Sequence, residues 1–266
     1  MPRILAGMSE STKVAVVGAA GRMGQQVAQA VTEAGDLELV ARVDVGQDVT
    51  ADLTAAGAEV AVEFTVPTAS RDNVRAILAA GAHAVVGTTG WTEGALDELR
   101  EHLDAVNEER TDRGEHALGV LIAPNYALSA VLAMAFAKQA APYFTSVEVI
   151  ELHHPNKVDA PSGTAISTAQ GIAKVRAEAG VPASPDATES NADSRGADVD
   201  GVRVHSVRLQ GLVAHEEILL GNAGEQLTIR TDSFHRESFM PGVLLGVRQV
   251  PSRPGLTLGL DTLLGI

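Results

Sequence analysis

Five short apolar runs recur between Lys13 and Ile122, and each ends in a polar or glycine-rich turn. They are Lys13–Gly18, Leu37–Val43, Val60–Phe64, His83–Val86 and Leu118–Ile122. Each is too short for a buried helix, and Lys13–Gly18 in particular is a continuous apolar run rather than an alternating one, as strands buried on both faces are. Helical patterns lie between them: Val27, Ala30 and Val31 after the first, Thr68 to Ala80 closed by Gly81, and Thr92 to about Val106. Asn107 to Glu115 reads as a charged loop. Alternating β and α units predict a Rossmann-like doubly wound parallel sheet, an α/β fold whose ligands lie at the carboxyl ends of the strands.

The turns at those ends are the polar clusters of this half. The first reads Gly18-Ala19-Ala20-Gly21-Arg22-Met23-Gly24. Strand, glycine turn and helix are the setting of a dinucleotide-binding fingerprint. The spacing is G-x-x-G-x-x-G, with Ala20 where the second glycine usually stands, so by itself the turn is equally an ordinary βα connection. Asp44 ends the second strand, where an acid accepts the ribose hydroxyls of a dinucleotide or, in the plainer reading, merely starts a turn. Val45 supplies no cation for a 2′-phosphate; Arg22 is the alternative. Gly87-Thr88-Thr89 ends the fourth strand, either packing against a cofactor or forming a simple turn. Ala123-Pro124-Asn125-Tyr126 ends the fifth.

After a helix from about Leu128 to Ala141 the texture changes. Val147–Leu152, Val202–Leu209, Glu217–Leu220 and Gln226–Thr231 read as strands. The turn Gly221-Asn222-Ala223-Gly224 marks a hairpin, so a second α+β domain with an open, mainly antiparallel sheet is expected. Residues 180–201 form a long loop, functional or mobile. Met240–Val250 is helical, and with Leu256–Leu260 it returns to the first domain. The expected division is a loose extension over residues 1–12, with Met8 as an alternative start to Met1, a dinucleotide-binding domain over 13–127 and 235–266, and a second domain over 128–234.

The second domain holds the densest chemistry, in the stretch from Glu151 to Ala165. A half-buried strand delivers His153, His154 and Lys157 into a short loop. Ser162-Gly163-Thr164 then opens a helix running to about Ala179. Proton donors and cations thus stand beside unpaired helix N-terminal amides, an arrangement suited to carboxylates. A strand-end His pair bonded to loop backbone, with Lys157 merely solvated, is the plainer alternative for any one of them; their combination favours the chemical reading. Lys157 is also one of only four lysines, with Lys13, Lys138 and Lys174, among twenty Lys and Arg residues. An ammonium can release a proton, and a guanidinium cannot.

Composition narrows the partners. A formal charge of −14 argues against non-specific nucleic-acid binding and against anionic membrane surfaces, so an anionic ligand needs a local positive site. The absence of cysteine removes disulfides, thiolate zinc sites and thiol nucleophiles, and no metal is called for. No apolar run has membrane-spanning length, residues 1–12 lack the apolar core of a signal peptide, and a cytoplasmic location is expected.

The run from Glu151 to Ala165 follows E-x-H-H-x-x-K-x-D-A-P-S-G-T-A. With the glycine turn, Gly87-Thr88-Thr89 and Ala123–Tyr126, it resembles the dihydrodipicolinate reductase family over nearly the whole chain from Lys13 onward. The resemblance implies reduction of 4-hydroxy-tetrahydrodipicolinate with loss of water, in the diaminopimelate route to lysine. It implies His153 as proton donor or acceptor, Lys157 as proton donor, and His154, Gly163 and Thr164 as ligands of the substrate's carboxylates. The nicotinamide cofactor would be held by Gly18, Ala19, Ala20, Gly21, Arg22 and Met23, by Gly87, Thr88 and Thr89, and by Ala123, Pro124, Asn125 and Tyr126, with Asp44 on the ribose. Family members often carry Arg after that acid; Val45 here points to NADH, or to both NADH and NADPH. A homotetramer assembled through the second domain is also implied. Two other readings stay open, another NAD(P)-dependent oxidoreductase of amino-acid metabolism and a non-catalytic dinucleotide sensor. A sensor would need no proton donors, and an alcohol dehydrogenase no carboxylate cradle.

Overall fold

The structure is a computed structural model that describes residues 11–189 and 194–266. The expected extension and the choice between Met1 and Met8 fall almost entirely outside the described residues, as do residues 190–193 of the long loop. The chain forms two compact units. One runs to Tyr126 and resumes over Phe239–Gly265; the other spans Ala127–Ser238.

The first unit alternates strand and helix in the order β1 (Thr12–Val17), α1 (Arg22–Glu33), β2 (Leu37–Val43), α2 (Val49–Ala56), β3 (Val60–Glu63), α3 (Pro67–Ala79), β4 (His83–Val86), α4 (Glu93–Asp112) and β5 (Gly119–Ile122). In the second unit follow α5 (Leu128–Ala140), β6 (Ser146–His153), α6 (Gly163–Glu178), β7 (Ala197–Val199), β8 (Val202–Arg208), β9 (Ala214–Asn222) and β10 (Glu225–Ser233). The returning segment carries α7 (Met240–Gln249), β11 (Gly255–Leu258) and α8 (Asp261–Leu264).

The first sheet has the order β11-β5-β4-β3-β1-β2, and neighbouring strands in it run parallel. Val14 to Val17, Val60 to Val62 and Ala84 to Val86 are buried, as their unbroken apolar runs require. Strand order reverses at β1, flanked by β2 and β3, and such a switch point opens a crevice at the strands' carboxyl ends. Two elements correct the sequence reading. Helix α2 has no counterpart in it: Asp48 caps the helix by accepting from Ala51 N–H at 3.1 Å, and Gly57 ends it in the left-handed region at φ +63°. Helix α4 runs through most of the expected charged loop. Charge does not oppose helix where Glu and Arg dominate, and the helix stops before Arg113 and Gly114 (φ +75°). Thr12 pairs with Leu37 and so belongs to β1 rather than to an extension.

The second sheet has the order β10-β9-β6-β8-β7, antiparallel except for β6 against β8. Helices α5 and α6 supply Ala133, Ala137, Ala169 and Ile172 to the core that covers one face, which includes Val149 and Ile218. The long loop is less bare than expected. Strand β7 pairs with β8, Arg195 pairs with Glu148 of β6, and Arg176 of α6 donates to Pro182 O at 3.1 Å. Among the described residues, no helix is long and apolar enough to cross a membrane.

Candidate active site

In the first unit the glycine turn is shaped by lack of space. Gly18 has φ +84°, and a Cβ there would lie 2.3 Å from Phe64 O. A Cβ on Gly24 would lie 2.1 Å from Gly18 O, so α1 approaches the turn more closely than any side chain permits. The amides of Gly18 and Ala19 donate to Val43 O at 2.8 and 3.2 Å. Ala20 N–H donates to Asp44 Oδ2 at 2.5 Å, and Val45 N–H to Oδ1 at 2.8 Å. These bonds, that from Ala20 first, hold the Asp44 carboxyl below the ordinary aspartate value. The N-cap of α1, Gly21, offers no side chain, so no side-chain cap occupies the first amides of the helix.

A cavity of about 400 Å³ brings Gly18, Gly21, Asp44, Val45, Gln47 and Thr65 together. A second, of about 250 Å³, is lined by Thr88, Thr89, Trp91, Ala123, Pro124 and Leu258. Tyr126 is placed differently. It is buried, its hydroxyl donates to Val86 O at 2.9 Å, and its ring centroid lies 5.9 Å from that of Phe64. Sequence reasoning missed Glu63, which is fully buried and accepts from Ser70 Oγ at 2.9 Å and from Thr65 Oγ1. Thr65 N–H donates to Thr88 Oγ1 at 2.8 Å, tying the ends of β3 and β4. The turn with no β-carbon at Gly18, Gly21 and Gly24, the uncapped α1 amides and Asp44 on one cavity fit a dinucleotide.

In the second unit, β6 aims Val147, Val149, Glu151 and His153 at the covered face. Glu151 is fully buried, yet each oxygen is engaged. Arg208 donates through both terminal nitrogens at 2.8 Å, Ser162 N–H donates at 3.2 Å, and His153 Nδ1 lies 2.5 Å from Oε2. Burial pushes this carboxyl up, but hydrogen bonds from Arg208, Ser206 and His153 outweigh it and hold it below the ordinary glutamate value. Burial also pulls the His153 ring below the ordinary histidine value, against the opposing pull of Glu151.

Beyond β6, Lys157 N–H donates to His154 O at 3.2 Å and closes the loop. Lys157 Nζ donates to both oxygens of Asp159, at 2.8 and 3.0 Å. The Asp159 carboxyl also accepts from the Gly163 amide, and Lys157 above all holds it below the ordinary aspartate value. Lys157 and the α6 N-terminus therefore share one carboxylate. Ser162 Oγ caps the helix by accepting from Ala165 N–H at 3.2 Å. Thr164 is half-buried beside them, and His154 Nδ1 is buried without a partner among the described residues. The spacing of residues 151–165 pointed to this cluster. Arg208 lay beyond it, since only the β6/β8 pairing brings it within reach.

Comparison with known proteins bears directly on both halves. Models of the dihydrodipicolinate reductase N-terminus and C-terminus match residues 12–126 and 129–264. The chain belongs to the dihydrodipicolinate reductase family. The 4-hydroxy-tetrahydrodipicolinate reductase of Beutenbergia cavernae is 62% identical over 255 residues, covering 96% of this chain and 99% of the relative. That of Nocardia farcinica is 58% identical, with 96% and 99% covered. The dipicolinate-bound dihydrodipicolinate reductase from Paenisporosarcina sp. TG-14 superimposes with a TM-score of 0.81 at 34% identity, over 95% of this chain and 99% of that one. Scyllo-inositol dehydrogenase from Lactobacillus casei, at TM-score 0.55 and 12% identity, shares the fold alone.

Proposed function

We propose that this dihydrodipicolinate reductase family member reduces 4-hydroxy-tetrahydrodipicolinate to tetrahydrodipicolinate, with loss of the 4-hydroxyl as water, in the diaminopimelate route to lysine. The observation that carries the reading is the carboxylate of Asp159, held between the Lys157 ammonium and the Gly163 amide. A small dicarboxylate substrate would present the same group to the same donors. Its carboxylates are bound by His154, Gly163 and Thr164, and the relative from Paenisporosarcina, bound to dipicolinate, holds such a dicarboxylate.

NADH or NADPH, when bound, supplies the hydride. The chain would hold it with the turn from Gly18 to Met23, Asp44 toward the ribose, Gly87 to Thr89, and Ala123 to Asn125, while Tyr126, buried and bonded to Val86 O, would support that turn from within. Lys157 delivers the proton as general acid, and His153 sets or restores its protonation. Lys157 in this loop, with Arg208 of β8 donating to Asp159 O, supplies the local positive charge that an anion needs against the global charge of −14. We further assign a cytoplasmic homotetramer, with no nucleic-acid or membrane partner. The alternating Ile150 and Leu152 on the sheet face opposite α5 and α6, only half-buried here, support assembly through that face.

The test follows NADH and NADPH absorbance with the substrate generated in situ, alongside light scattering for the oligomer. Substrate-dependent oxidation, competitively inhibited by dipicolinate, is expected. His153→Gln should lower kcat about 10²–10⁴-fold with NADH affinity unchanged. No oxidation by the wild type would sink the reading.

A further inference from the structure

The helix-covered face of the second sheet changes character along its length. Its cross-strand rows begin apolar, with Val147 opposite Leu220, then Val149 between Val204 and Ile218. The next row is Glu151 between Ser206 and Glu216, and the row after it is His153 between Arg208 and Ala214. Two carboxyls thus stand side by side where the core would be expected to continue. Burying an ion there is costly unless it is fully partnered, so the row calls for a cause.

We propose that Glu151 is the positioning residue of the His153 ring: it accepts a hydrogen bond from Nδ1–H, keeps the proton on that nitrogen, and leaves Nε2 as the atom that exchanges protons during the reaction. This rests on the reading of His153 as a proton-handling residue.

Neighbouring carboxyls do not both ionise readily, and their surroundings decide which one does. The two-pronged Arg208 clamp and the Ser162 amide select Glu151 as the anion. Glu216 has no such donors. Thr168 Oγ1 lies 2.8 Å from Glu216 Oε1 and 3.0 Å from Thr164 O, and its single proton can serve only one of them. A protonated Glu216 that donates to Thr168, which in turn donates to Thr164 O, satisfies both bonds through Thr168. Glu216 Oε2, buried without a partner among the described residues, shows no donor that would favour the anion. Burial, with Glu151 adding to it, pushes the Glu216 carboxyl up to about 7 against the Thr168 hydrogen bond.

An ionised Glu151 at 2.5 Å then fixes the ring's tautomer. The charged groups that act on the ring are Glu151 on β6, Arg208 on β8 and Lys157 in the loop, with Glu216 of β9 opposite Glu151 and Asp159 paired with Lys157 next to them. The first turns of α6, from Gly163 to Gln170, carry no ionisable side chain. Of these groups, Glu151 alone bonds the ring, so its charge sets both the ring's orientation and its readiness to accept a proton.

Imidazole ¹⁵N NMR of the wild-type enzyme tests this directly, with the signal that disappears in folded His153→Gln identifying the ring. At neutral pH the His153 proton is expected on Nδ1. In Glu151→Gln the ring's titration should move about one unit further down, roughly a tenfold loss of proton affinity. The limb of the kcat/KM profile that His153 governs should move with it. kcat should fall about 10–100-fold, as when an orienting partner of a working histidine is removed, with the Kd for NADH unchanged. A wild-type ring protonated on Nε2 overturns the proposal. So does a Glu151→Gln enzyme with a lower Tm but an unmoved His153 titration and pH profile, which would leave Glu151 a purely structural role. Undiminished kcat in His153→Gln would instead overturn the assignment of His153 to proton handling.

Discussion

Two helix N-termini carry the candidate chemistry, and they are prepared in opposite ways. Helix α1 begins at Gly21 with no side-chain cap and follows a turn that β-carbons would block. Helix α6 begins with its donors already engaged: Ser162 caps Ala165, Asp159 accepts from Gly163, and Glu151 accepts from Ser162. A bare backbone site suits a ligand that brings a diphosphate and needs close approach. A site of paired charges suits a ligand that exchanges one carboxylate for another and then has protons moved around it. Both regions hold a carboxylate of the chain itself, but to different ends. Asp44 can keep its bonds to Ala20 and Val45 while accepting ribose hydroxyls. Asp159 would have to give up Lys157 for a substrate carboxylate to take its place.

The largest expected effect probes that second site. Lys157→Arg keeps a cation beside Asp159 and the Gly163 amide, so a purely electrostatic lysine would leave most activity intact. A guanidinium holds its proton at any working pH. If Lys157 is the general acid, kcat should drop about 10²–10⁴-fold while NADH binds as before. Near-normal turnover would reduce Lys157 to a counter-ion and leave the proton to His153 or water.

The two regions also differ in how far their residues can be read from the chain. The parallel sheet was legible because its central strands β1, β3, β4 and β5 are buried and read as nearly unbroken apolar runs. The loop from His153 to Thr164 was legible because its chemistry is local, compressed between one strand end and one helix start. What supports that loop was not. Arg208 reaches Glu151 only through the parallel pairing of β6 with β8, and Glu216 only through β9. Nothing near either residue marks it as different from a solvated strand charge. Helix α2 escaped for another reason: its eight residues are too few to show a period, although Asp48 and Gly57 bracket them with cap signals.

A smaller effect is expected from Glu216→Gln, and it is read in stability against pH. The carboxyl is raised to about 7 in the folded protein from an ordinary value near 4.5. Below pH 4.5 it is protonated in both states and contributes no difference. Between 4.5 and 7 the folded state binds the proton more tightly, so stability falls as pH rises, and the loss is complete above about 7. Gln is neutral throughout and escapes that loss. Relative to wild type, the variant should therefore gain on the order of 2 kcal/mol between pH 4.5 and 8. Urea unfolding at the two pH values measures it. A difference that does not change with pH would mean that Glu216 is ionised in the fold, and the contrast between the two carboxyls of that row would fail.

The smallest effect sharpens the comparison from the side of α1. Val45 is 98% exposed beside Asp44, so replacing it removes almost no packing. Asp44 can accept from a 2′-hydroxyl and repels a 2′-phosphate, and no cation stands at position 45 to offset it. Val45→Arg supplies one, at an exposed site where a charge pair is worth about 1 kcal/mol at most. The ratio of kcat/KM for NADPH over NADH should accordingly rise several-fold, mostly through KM. Because the change touches only the first unit's site, KM for the dicarboxylate should stay where it was. A wild-type enzyme that already prefers NADPH a hundredfold would show that Asp44 does not act on the ribose as assigned. A variant whose substrate KM moves while its cofactor ratio does not would show that position 45 lies outside the cofactor's reach, and the two sites would not be separable in the way their helix N-termini suggest.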